Sequence, residues 1–128
     1  MKTILRVAIG LVALFMLAVG LGFLFAPAQL AAGFFLSPTT PQGLATLRAD
    51  FPGFFIGVAV FALIGAWTGQ SRPLLVPIFM VAIAFFGRIV SILVDGVLPT
   101  TAQPMIVEAV MLIVLLLGWR NFDRGTAR

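Results

Sequence analysis

Residues 74–94 read LLVPIFMVAIAFFGRIVSILV, and Arg88 is the only charge in the run. Roughly 20 mostly apolar residues cross the hydrocarbon of a bilayer. Backbone polar groups at that depth find no water, so the chain must satisfy them itself, as a helix does. The run is therefore expected to be a transmembrane helix opened by Pro73. Working outward, three more stretches qualify: Val7–Ala26, about Asp50–Gly69, and roughly Met105–Trp119 with Pro104 at its first turn.

The composition agrees. The chain is 62% hydrophobic and 9% charged, with a mean hydropathy of +1.20. A water-soluble domain carries about a quarter charged residues. This chain cannot supply a polar outer face, and lipid removes the need for one. Its 128 residues form a single domain, an all-α integral membrane four-helix bundle with up-down topology.

The connections differ in kind. In Ala28–Gly43, Leu30, Phe34 and Phe35 suit a short amphipathic turn at the interface, and Ser37–Pro41 is turn chemistry. The link around Gln70–Pro73 is tight. Asp95–Gln103 begins with Gly96, a helix C-cap.

Net charge is +4, but the positives are sparse and sit near span ends. That distribution suits membrane orientation, not nucleic acid, which requires a basic patch. Lys2, Arg6, Arg72, Arg120, Arg124 and Arg128 fall on one side of a four-span chain, and Arg48 on the other. The rule that cytoplasmic loops are positive places both termini in the cytoplasm, with Trp67 and Trp119 at that interface. Ala26–Pro27–Ala28 looks like a signal-peptide cleavage site, but the preceding apolar run is longer than usual. The first helix is expected to be retained.

There is no Cys, His or Tyr. Disulfides, thiolate nucleophiles and the usual zinc and haem ligand sets are excluded. Any metal would rest on Asp50, Asp95 and Glu108 as hard oxygen ligands; neither a metal nor a cofactor is expected.

The candidate site is a set of ionisable residues where lipid should be. Arg48, Asp50, Arg88, Asp95 and Glu108 should converge at one depth, the end of the bundle away from the termini. Charge there costs roughly 3 kcal/mol per group on insertion scales, so such residues face inward and pair. Arg88, Ser91 and Asp95 recur at helical spacing and should turn one face toward Asp50 and Glu108. Asp95 opposes its helix dipole and calls for Arg88 or Arg48, whereas Asp50 and Glu108 near N-termini are favoured. The cluster is either a ligand site or a structural ion-pair lock. Gly53, Gly57, Gly65 and Gly69 form a small-residue stripe for helix packing or a partner interface. Phe54, Phe55, Phe85 and Phe86 read as core or lipid-facing residues.

These motifs resemble a known group. Leu47–Arg48–Ala49–Asp50 with Gly53 and Gly57, then Phe86–Gly87–Arg88, then Asp95–Gly96, resemble a family of small bacterial four-helix membrane proteins known only as a domain of unknown function. Pro52 departs from the family pattern, which favours a small residue there. The resemblance implies a bacterial cytoplasmic (inner) membrane and importance for Arg48, Arg88 and Asp95, but no activity. More distantly, the layout is similar to DoxX-like membrane proteins at the level of fold alone.

Four functions compete. The leading one is binding of a small amphipathic ligand (a lipid, quinone or hydrophobic metabolite) at the charged cluster. The others are an accessory or assembly subunit, a small proton-coupled transporter, and an enzyme using Asp50 and Glu108. The uncharged first helix counts against the transporter, and the missing His, Cys and Tyr against the enzyme. Partners beyond the bilayer stay open between that ligand, a homo-oligomer and another membrane protein.

Overall fold

A computed structural model of the chain describes residues 1–123. Its elements are α1 (Lys2–Phe25), α2 (Pro27–Gly33), α3 (Pro41–Thr68), α4 (Leu75–Asp95) and α5 (Ala102–Asn121). A 3-10 turn, Arg72–Leu74, leads into α4. The described residues contain no strand. Four helices are long and apolar enough to cross a membrane. Their outer faces carry Leu11, Leu14, Leu63, Ile83, Phe86 and Ile113, all exposed. So large an apolar surface is tolerable in lipid and not in water, and the protein is an integral membrane protein.

The helices pack in a ring. α1 lies most extensively on α3 and also meets α5, while α4 meets α3 and α5. Side-chain contacts pair opposite ends: Arg6 of α1 reaches Ala66 of α3, Phe23 meets Phe51, and Arg88 of α4 meets Glu108 of α5. α1 and α3, and likewise α4 and α5, thus run antiparallel to one another. Lipid offers no hydrophobic drive between helices, so close packing must hold them. At Gly20 a Cβ would stand 2.6 Å from Ile56 Cγ1 and 3.1 Å from its backbone nitrogen. Any side chain there would push α1 off α3.

Two helix ends depart from the sequence reading. α3 begins at Pro41, not near Asp50. Thr40 Oγ1 accepts from Gly43 N at 3.0 Å, an N-cap followed by proline at the first helical position. What looks like turn chemistry at Thr40–Pro41 is the signal of a helix start. The helix then runs through Pro52. Proline has no N–H, so the Arg48 carbonyl loses its partner one turn back.

The second departure is α2. It is a helix whose inner face packs on the bundle, while Phe34 and Phe35 stay exposed. Ala31 is fully buried, Leu30 packs against the same cluster, and the Phe34 ring meets Phe23 edge-on at 5.2 Å. The helix closes with Leu36 N donating to Ala31 O and Phe35 N to Ala32 O, a Schellman motif. Its left-handed position is occupied by Phe35, φ 59, where glycine is usual. That conformation costs a residue with a Cβ about 1–2 kcal/mol.

Candidate functional site

The end of the bundle away from the termini is hollow. A cavity of about 550 Å³ is walled by residues from all five helices or their ends. α1 contributes Phe15, Met16 and Val19, and the α2 end contributes Phe34 and Phe35. α3 adds Asp50, Phe51, Phe54 and Phe55. α4 adds Val81, Ala84 and Arg88, and α5 adds Val107, Glu108 and Met111. Met16, Val81 and Met111 are buried and belong to the mid-bundle core, so they form the floor. The volume lies in the range of small-molecule sites, and so does the pattern of apolar walls with few convergent polar groups.

Its charged part is three side chains, and Gln103 adds a neutral amide to the lining. Arg88 Nε donates to Glu108 Oε1 and Oε2, each at 2.9 Å. The Glu108 side chain is 12% exposed and that of Arg88 39%. Arg88 makes no other hydrogen bond among the described residues, so its two terminal nitrogens keep their donors. Asp50 lines the same cavity and has no hydrogen bond or ion pair among the described residues. The three sit at matching depths. At 1.5 Å per residue, Asp50 lies about 14 Å from the start of α3, Glu108 about 9 Å from that of α5, and Arg88 about 10 Å from the end of α4.

The structure brings together three of the six candidate site residues. Arg48 is exposed and does not line the cavity. It stands two residues before Asp50, and residues two apart point to opposite sides of a helix. Asp95 is exposed and takes its hydrogen bond from Ser91 Oγ at 3.0 Å. Four residues separate them on one helix face, whereas Arg88 is two turns away and turned to Glu108. Neither arginine offsets Asp95, then; a neighbouring hydroxyl does. Asp50 is also too deep in α3 to feel the dipole of its N-terminus, which fades after the first turn.

The glycine stripe divides as well. Gly65 receives the Leu74 side chain directly, and Gly69 is the left-handed cap of α3, φ 69. Gly57 leaves only loose contact to Met80, and Gly53 faces open space. Sequence reasoning did not single out the phenylalanines as site residues. Phe23, Phe34, Phe51 and Phe55 form one cluster with centroids 4.8–6.5 Å apart. Three of these four, with Phe54, line the cavity. A spacing signal existed in Phe51, Phe54 and Phe55, at positions i, i+3 and i+4 from the residue after Asp50.

Among the described residues no group of carboxylates is placed to hold a metal ion. The family model for a domain of unknown function, DUF4345, matches residues 4–119. The chain belongs to the DUF4345 family. All three charged residues of the cavity, Gln103 and every phenylalanine around it fall within the matched DUF4345 region. No curated protein and no solved structure matches this DUF4345 chain, and likeness to DoxX-like proteins is not shown.

Proposed function

We propose that this DUF4345 protein binds a small amphipathic molecule in the cavity between its helices. One observation carries the reading: the hollow opens where Asp50, Arg88 and Glu108 gather, and apart from the Gln103 amide the rest of its wall is apolar. The ligand's apolar part would lie against Phe51, Phe54 and Met111, and its polar group at the three charged side chains. Arg88 keeps donors for an oxygen atom, and Asp50 and Glu108 offer acceptors.

The membrane is proposed to be the bacterial cytoplasmic membrane, with both termini inside. Lys2, Arg6, Arg72 and Arg120 lie at the terminal end of the bundle and Arg48 toward the other, in keeping with positive cytoplasmic loops. A reporter fused to the C-terminus should be active only as a cytoplasmic protein; export of the reporter would reverse the orientation.

Native mass spectrometry of protein released gently from its own membrane tests the binding reading. The wild type should retain a defined small molecule. An Ala84→Phe variant puts a ring into the cavity while keeping Arg88 and Glu108 in the sequence, and should lose that molecule. A wild type that retains nothing, or a variant that holds the same molecule equally well, counts against the cavity. Retention of another membrane protein instead favours the accessory-subunit function.

A further inference from the structure

We infer that the ligand class is a lipophilic cation, an amphiphile carrying one ammonium-type charge, held by Asp50 and the phenylalanine rings. The inference rests on the cavity being a binding site and adds the sign of its ligand.

The argument is one of charge balance. Glu108 and Arg88 neutralise one another through two hydrogen bonds. Asp50 remains, with no partner among the described residues. The only other basic residue near it in sequence, Arg48, is outside the cavity on the opposite side of α3. The cavity wall therefore carries a formal charge of one negative. An anionic amphiphile such as a fatty acid would find donors on the Arg88 terminal nitrogens but would add a third carboxylate to a wall whose one cation already faces two. A neutral one would leave the exposed Asp50 carboxylate without a partner at the cavity. A cation supplies one.

The apolar part of the wall favours the same sign. Phe51 and Phe54 sit on the turn of α3 that carries Asp50, and Phe34 and Phe35 approach from α2. Ring faces carry partial negative charge and attract ammonium groups, most strongly where water is excluded. Phe35 is held in a left-handed backbone conformation at this wall. Strain of that kind persists where the surrounding structure imposes it, and it clusters at ligand sites.

The test measures saturable binding of three probes sharing one alkyl chain: decyltrimethylammonium, decanoate and decanol. The protein is held in uncharged maltoside micelles, and protein-free micelles give the background. The cation should bind at least about tenfold tighter than decanoate, the margin expected of a close charge pair in an apolar site. Asp50→Asn should abolish that margin and Asp50→Glu should keep it. Phe54→Leu should weaken the cation more than decanol. Tighter binding of decanoate, or a margin that survives Asp50→Asn, overturns the assignment of sign while leaving the cavity a binding site. Absence of saturable binding by all three probes overturns both. Should Asp50→Asn not fold, the order of the three probes on the wild type decides alone.

Discussion

The two ends of this bundle use their charges in opposite ways. At the terminal end, polar side chains close off backbone. Arg6 Nε donates to Ala66 O at 2.6 Å, and Arg6 also reaches Trp67 O. These carbonyls belong to the last turn of α3, which has no intrahelical donors for them. Asp123 similarly accepts from Ser71 N at 3.0 Å and from the Ser71 hydroxyl, tying the end of α5 to the α3–α4 link. At the far end, a guanidinium and two carboxylates line a hollow, and one of the carboxylates has no partner among the described residues. Charge that caps a helix end stabilises the fold. An unpaired carboxylate that faces a cavity does little for the fold and is free to meet a ligand.

Substitutions should separate the two ends. The largest effect is expected at the ion pair. Arg88→Ala leaves the Glu108 carboxylate without its partner, and breaking such a pair costs about 3 kcal/mol. Replacing both with apolar residues, Arg88→Met with Glu108→Leu, should recover most of that loss. Unfolding titrations on the two singles and the double give the coupling; a double variant as unstable as either single would mean the pair's partners matter separately.

Next is the α1–α3 contact. Gly20→Ala places a methyl group against Ile56 and should lower stability by about 2 kcal/mol through overpacking, read from the same titration. No change would show that α1 can slide aside. Removing the cap at the terminal end is smaller. Arg6→Gln should cost about 1 kcal/mol, the worth of a charged hydrogen bond at a helix C-terminus. It should leave ligand binding unaltered, whereas the cavity variants change binding first. If Arg6→Gln alters binding, the two ends are coupled.

The smallest effect concerns Asp123. The Ser71 hydroxyl, and then the Ser71 backbone N–H, hold its carboxyl below the usual aspartate range. Because the folded value is depressed, the stabilisation is complete above the ordinary aspartate pKa, roughly 4. It is lost as pH falls through the lower folded value. The hydrogen-exchange protection factor of the residue 70–74 link, corrected for the intrinsic pH dependence of exchange, should therefore stay constant through neutral and mildly acidic pH and fall only in stronger acid. Ser71→Ala should bring the fall to higher pH.

What the sequence by itself determined was the membrane, the number of spans and the residues that carry charge within them. Runs such as residues 74–94 admit no other solvent, and Arg88 stands out because hydrocarbon penalises it. The family was also legible, from short motifs at Arg48, Gly87–Arg88 and Asp95. Only the tertiary structure decided which charges meet. Helical spacing puts Arg88, Ser91 and Asp95 on one face, but a face is wide and the rotation of α4 against α5 selects Arg88 alone for Glu108. The start of α3 was hidden for a different reason. Hydropathy marks where lipid begins, while Thr40 and Pro41 mark where hydrogen bonding begins, about two turns earlier. The cavity had no sequence signature at all, since empty space is what remains after five elements have packed, and no single element records it.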